Sequence, residues 1–164
     1  MNGDRYIGAW KNDLQDGKGT MYYASGIKFE GVWANGTKQG AGVYYYAEGH
    51  RTEGEWKDGK LHGHHTFHYV NGDREESEWK DGKLHGHYTR HYANGDWVEG
   101  GYKDGKRHGH YTKHWANSAV SFEVMFFRGR QWCFWYAFHG MPFFFGVHFV
   151  LAVLAAFCVA WMLN

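Results

Sequence analysis

Nine of the thirteen histidines fall in one recurring pattern. His62, His64 and His68 return as His85, His87 and His91, and again as His108, His110 and His114. Two imidazoles separated by one residue on an extended chain share a face, a spacing that suits a metal ion. The copies, however, are 23 residues apart. If each copy is a hairpin, equivalent strands stand roughly 10 Å apart, too far for one ion to bridge. No cysteine or fixed carboxylate completes a ligand set. The pattern is therefore read as a unit copied with its histidines, and no metal site is expected. With an unperturbed pKa near 6.5, these side chains would raise the charge well above +1 in a mildly acidic compartment. His148 stands apart as the one polar residue in an apolar stretch. It is the only residue through which a chlorophyll or haem metal would be held, and no other cofactor is expected. Catalytic signatures are missing. Serine occurs only at Ser25, Ser77, Ser118 and Ser121. Asp58 and Asp81 belong to turn dipeptides, and the glycines follow hairpin turns, not the strand-to-helix turns that cradle phosphate. A non-enzyme is expected.

The elements carrying these residues follow from a fixed period. Trp10, Trp33, Trp56 and Trp79 are 23 residues apart, and Tyr102 takes the next place. Gly8, Gly31, Gly54, Ser77 and Gly100 precede them by two residues. Gly17, Gly40, Gly63, Gly86 and Gly109 follow by seven. Tyr23, Tyr46, Tyr69, Tyr92 and Trp115 close the units. Tyr6, Gly8 and Trp10 alternate as a strand does. Asn35-Gly36, Asp58-Gly59, Asp81-Gly82 and Asp104-Gly105 favour the positive φ of a tight hairpin turn. The fold class is mainly β: an elongated, single-layer antiparallel meander over residues 1–116, followed by one C-terminal transmembrane helix. Cohesion is assigned to Tyr6, Trp10, Phe29, Trp33, Trp56, Trp79 and Tyr102, stacked across the sheet. Thr52 and Glu75 replace the aromatic, and Ser77 a glycine, so looser packing is expected there. Residues 117–127 read as a degenerate half-repeat or cap in which the beat reaches Met125 and dissolves.

The columns Tyr6-x-Gly8-x-Trp10, Phe29-x-Gly31-x-Trp33 and Trp79-Lys-Asp-Gly-Lys-Leu-His-Gly86 resemble the MORN repeat. That resemblance implies an elongated β-meander used for scaffolding, protein interaction or membrane association, with no catalytic residues of its own. Repeats followed by a membrane span are also loosely similar to the junctophilins, which tether membranes; this chain lacks their long intervening region.

Of the 35 charged residues, 32 lie in 1–116 and cancel there, 16 against 16. No basic stripe is present, so nucleic acid is not expected as a partner. Phe143 to Leu163 carries no formal charge over 21 residues, long enough to cross a bilayer. His148, Ala152, Ala156 and Ala160 share one helical face, a small-residue stripe suited to helix packing. Residues 128–142 read as an interfacial aromatic junction, with Arg128, Arg130, Trp132, Trp135 and Tyr136 as anchors at the membrane surface. Met1 leads straight into the first repeat, and no leader is expected. The sequence therefore points to a single-pass integral membrane scaffold, an accessory subunit of a larger, energy-transducing organellar complex. Its expected partners are other membrane subunits and lipid, in a thylakoid or mitochondrial inner membrane before the endoplasmic reticulum. The competing reading is a lipid-binding tether between two membranes.

Overall fold

The computed structural model describes residues 3–118 and 120–138. Twelve strands follow one another: β1 (Arg5–Lys11), β2 (Leu14–Tyr22), β3 (Lys28–Ala34), β4 (Thr37–Tyr45), β5 (Arg51–Lys57), β6 (Lys60–His68), β7 (Arg74–Lys80), β8 (Lys83–His91), β9 (Trp97–Lys103), β10 (Lys106–His114), β11 (Val120–Phe127) and β12 (Arg130–Phe138). They form one sheet in strict chain order, each strand bonded only to its sequence neighbours. The pairings whose register is defined are all antiparallel. Among the described residues no helix is long and apolar enough to cross a membrane. Residues 143–163, with His148, Ala152, Ala156 and Ala160, lie outside them.

Within each hairpin the turn has two residues, both at positive φ. Asn12 and Asp13 form the first, at 51° and 59°; Asp58 and Gly59 are typical of the rest, at 50° and 75°. This is the mirror-image turn whose twist matches paired strands. Consecutive turns are also tied together: the amides of Gly36, Gly59, Gly82, Gly105 and Gly129 each donate to a backbone carbonyl of the preceding hairpin.

Seven residues after each Trp place, the return strand bulges. In the third hairpin Gly54 pairs with His65 and Trp56 with Leu61, leaving His62-Gly63-His64 opposite Glu55 alone. The other units repeat this three-against-one arrangement around Gly17, Gly40, Gly86 and Gly109. Gly63 sits at φ 80°, which a side chain adopts only at a cost. The His-x-His spacing is therefore a bulge flanked by two imidazoles, not a stretch of regular strand.

One face is filled by rings. Phe29 is wholly buried, and Trp33 and Trp56 are each 5 % exposed. Trp33 meets Tyr6 and Phe29 edge-on, both at 5.5 Å, and Trp56 meets Phe29 at 5.1 Å. The Phe29 ring lies over the paired glycines Gly31 and Gly42, and a Cβ on Gly42 would fall 2.5 Å from its tip. Such T-shaped pairs add about 0.5–1.5 kcal/mol each beyond burial. Lys38 threads through this cluster. Its Nζ lies 4.9 Å from the Tyr44 ring centre and 5.1 Å from that of Phe29, and it donates to the Tyr44 hydroxyl. Burial opposes its charge, but the Tyr44 and Tyr23 hydroxyls outweigh this and hold its pKa above the usual lysine value.

From the third unit onward the ring changes strands. Thr52, Glu75 and Val98 stand where Tyr6 and Phe29 stood. The return-strand glycine, Gly19 or Gly42, gives way to His65, Tyr88 and Tyr111, which pair with Gly54, Ser77 and Gly100. The volume lost on one strand is regained on its partner. The stretch expected to be loose is instead cross-linked by polar bonds. His65 Nδ1 lies 3.2 Å from Ser77 Oγ, which accepts from Trp79 Nε1 at 3.0 Å. Tyr69 and Tyr88 both donate to Glu75 Oε2, at 3.1 and 3.2 Å. Ser77 is therefore a fitted replacement for glycine.

The half-repeat is a whole hairpin. Phe122, Val124 and Phe126 pair with Lys113, Tyr111 and Gly109, the places held one unit earlier by Val98, Gly100 and Tyr102. The spacing here is 24, so Phe126 takes the Trp place and Met125, expected there, is 38 % exposed. One residue inserted between Trp115 and Phe122 moves the beat. Arg128 and Gly129 supply the sixth turn, at φ 51° and 80°. Trp132, Trp135 and Tyr136 fall on the backbone of β12; Trp135 and Tyr136 pair with Glu123 and Phe122, and Trp132 is skipped by the pairing.

Candidate polar-face site

The opposite face carries the charges in rows perpendicular to the strands. One row runs Glu30, Val43, Glu53, Thr66, Glu76, Thr89, Glu99, Thr112, Glu123, each residue paired with the next. A second runs Lys28, Tyr45, Arg51, His68, Arg74, His91, Trp97, His114 by the same rule. The alternation of each strand aligns these rows without further design, because cross-strand neighbours share a face.

The rows are locked to one another. Lys28 pairs with Glu30 and Arg51 with Glu53, both at 2.8 Å, and Arg74 pairs with Glu76. The Lys28 bond holds the Glu30 carboxyl below its ordinary pKa. His68 approaches Glu53 and His114 approaches Glu99, each at 3.7 Å; His110 bonds Glu123. Lys28 lies 4.1 Å from the Tyr45 ring centre, and Trp97 stacks on His114 at 3.8 Å.

Histidines at the bulges have a different task. His62 Nδ1 accepts the backbone N–H of Asp81 at 3.4 Å, and His85 that of Asp104 at 3.5 Å. Asp16 and Gln39 do the same in the units before, accepting from Asn35 and Asp58. His50 accepts from Val70 at the other end of the strands, where Asp4, Asp73 and Asp96 accept from Ala24, Ala93 and Ala116. His62 and His85 thus bind the next unit's turn. Among the described residues no group of three metal-ligating side chains comes together.

His65 is the exception, on the ring-filled face and 8 % exposed. Burial holds its pKa below the ordinary histidine value. Asp73, also buried, is held low by the Ala93 amide and by Arg90, whose guanidinium donates at 2.9 Å.

On the polar face a groove of about 850 Å³ crosses the first three units. Glu30, Glu53, Glu55, Lys18 and His64 edge it, over a floor of Gly31, Gly42 and Gly54. Since the rings lie on the other side of these glycines, the floor is bare backbone. Groups that hydrogen-bond and carry either charge surround it.

Twenty-three-residue hairpins with this glycine and aromatic register match the MORN repeat model at residues 6–28, 29–51, 53–74, 76–97 and 99–120. The chain belongs to the MORN-repeat family. No curated protein matches it closely enough to count as a relative. MORN-repeat proteins are in general non-catalytic scaffolds, and the repeats act in protein or lipid binding. The last of the five MORN matches ends at residue 120, where the sixth hairpin begins.

Of the aromatics assigned to the repeat core, Phe29, Trp33 and Trp56 are buried, while Tyr6, Trp79 and Tyr102 are half-buried. Trp10 is 55 % exposed, because no strand precedes β1 among the described residues. Arg128 is exposed in the sixth turn and Arg130 beside it. The polar rows escape a reading along the chain. Their signal is nonetheless present as the columns Glu30, Glu53, Glu76, Glu99 and Lys28, Arg51, Arg74.

Proposed function

We propose that this MORN chain is a membrane-anchored, non-catalytic scaffold whose polar face receives a partner protein. The observation that carries this is the division of labour between faces. The rings close one side on themselves, while the other offers a glycine-floored groove edged by Glu30, Glu53, Glu55, Lys18 and His64. Ion pairs with Lys28 and Arg51 hold Glu30 and Glu53 in place, so a partner meets these two carboxylates with little ordering left to do. Residues 143–163 supply the anchor, with the face of His148, Ala152, Ala156 and Ala160 packing against other helices. In the fuller form of the proposal the chain is an accessory subunit of a larger organellar membrane complex, in a thylakoid or mitochondrial inner membrane. His148 is the one place where a pigment or haem would be met.

The test is co-purification of the tagged full chain from its native membrane. Reversing the groove edge with Glu53→Lys and Glu55→Lys should reduce recovery of the co-purifying chains by tenfold or more and leave the circular dichroism spectrum intact. Unchanged recovery would overturn the reading. Salt-sensitive flotation of the wild-type chain with anionic vesicles, in the absence of any protein partner, would replace it with the lipid tether.

A further inference from the structure

Among the described residues the first hairpin stands at one edge of the sheet, with the outer side of β1 open. Strand β1 is bonded to β2 alone among the described residues. Trp10 is 55 % exposed and Ile7 53 %, against 5 % for Trp33 and Trp56 in the same place of the next two units. Trp33 is held between two rings, Tyr6 and Phe29; Trp10 has Tyr6 alone, at 5.1 Å. In the interior every Trp place stands opposite a glycine of the preceding strand: Gly17 with Trp33, Gly40 with Trp56, Gly63 with Trp79, Gly86 with Tyr102. The turn amides of the later hairpins find carbonyls on the hairpin before. An open edge carrying two large apolar side chains is a template for another strand.

We infer that β1 pairs with β1 of a second copy of this chain, antiparallel, about a two-fold axis through Ala9. Pairing that keeps the two ring-filled faces on one side allows only registers in which cross-strand partners share a face. With Gly8 on the axis, Arg5 stands against Lys11 of the other copy, a like-charge pair that costs stability. With Ala9 on the axis, Gly8 stands opposite Trp10, Ile7 lies along the stem of Lys11, and Arg5 reaches the Asn12-Asp13 turn. Both copies gain these contacts together, as an isologous interface requires. Trp10 then has a glycine opposite, as the interior Trp places do. Strand β12 is a poorer mate for β1, since Cys133 and Trp135 replace the glycine places of a return strand. The inference is independent of what the polar groove binds.

The test uses the full chain with Cys133→Ser and Cys158→Ser, purified in detergent. Antiparallel neighbours lie about 4.5–5.5 Å apart at Cα, within disulfide range. Ala9→Cys should therefore cross-link to itself on mild oxidation, giving a band at twice the 19.1 kDa chain mass. Val32→Cys, the same place in β3, should not. Adding Trp10→Lys to Ala9→Cys should abolish the dimer band while the β-sheet spectrum persists. An Ala9→Cys thiol that reacts with maleimide but never cross-links overturns the inference. So does a cross-link that survives Trp10→Lys, which would mark mere collision.

Discussion

The migration of the packing ring from one strand to the other makes equivalent glycines unequal. Gly42→Ala and Gly54→Ala are the same change at two central-row positions, one on a return strand and one on an outgoing strand. Neither glycine has a positive φ, so alanine is acceptable to both backbones. Each substitution gains about 0.4–1 kcal/mol from a less flexible unfolded chain. On Gly42 the new methyl would stand 2.5 and 2.7 Å from two atoms of Phe29, a ring with no exposed surface and no room to yield. Overpacking of this kind costs about 1–3 kcal/mol. On Gly54 the nearest atoms are 3.3–3.4 Å away and belong to His65, the His64 carbonyl and Leu61. Shifts of a few tenths of an ångström suffice, and the two effects nearly cancel. Gly42→Ala should therefore be less stable than Gly54→Ala by about 2 kcal/mol, roughly 4–8 °C in Tm for a chain of this size. In a Phe29→Ala background, itself costing about 3–5 kcal/mol, most of the Gly42→Ala penalty should vanish, since the two sites share one volume and only the Glu30 carbonyl, 3.0 Å from the new methyl, still crowds it. Urea unfolding of the two single glycine variants, the Phe29→Ala variant and the Phe29→Ala, Gly42→Ala double variant measures this. Equal midpoints for Gly42→Ala and Gly54→Ala, or an undiminished penalty in the Phe29→Ala background, would refute the ring-over-glycine account.

Two further expectations concern the histidines. His65 is buried with its pKa lowered, so the unfolded chain binds the extra proton first. Stability then rises with pH across this window, falls as pH drops below about 6.5, and levels off once the folded pKa is passed. His65→Phe should flatten that slope in thermal melts between about pH 7.5 and 5; an unchanged slope would assign it to other groups. His85 accepts the Asp104 amide as Asp16 accepts that of Asn35, so His85→Asp should keep stability within about 0.5 kcal/mol, whereas His85→Ala should lose about 1 kcal/mol. Hydrogen exchange at the Asp104 amide should quicken only in the alanine variant.

The repeating architecture is legible because several independent columns agree. The Asn-Gly and Asp-Gly turns fix where each strand reverses, and the Gly-x-Trp spacing fixes which face is packed. Three things escape for physical reasons. A period of 23 carries no warning of a single inserted residue, so counting lands on Met125 instead of Phe126 and finds half of the sixth hairpin. Substitution at Thr52 and Glu75 looks like loss, because compensation by His65 and Tyr88 lies across the sheet and not along the chain. The His-x-His spacing looks like a shared face, because strict alternation does not foresee a left-handed glycine at its centre. The first turn, Asn12-Asp13, lacks the glycine that marks the others and relies on two residues tolerant of positive φ.

Strict sequential order makes the sheet a ruler. Strands stand about 4.8 Å apart, so each hairpin advances the molecule by about 10 Å and twelve strands set the two edges roughly 50 Å from one another. Insertion or deletion of a whole unit would change that length by one fixed step while leaving every other contact untouched. The carboxylate and guanidinium rows are graduated in the same step. A partner laid across them would be selected by the pitch of its own charges as much as by their sign, and a one-unit change in the array would move its docking point without altering a single residue that it touches.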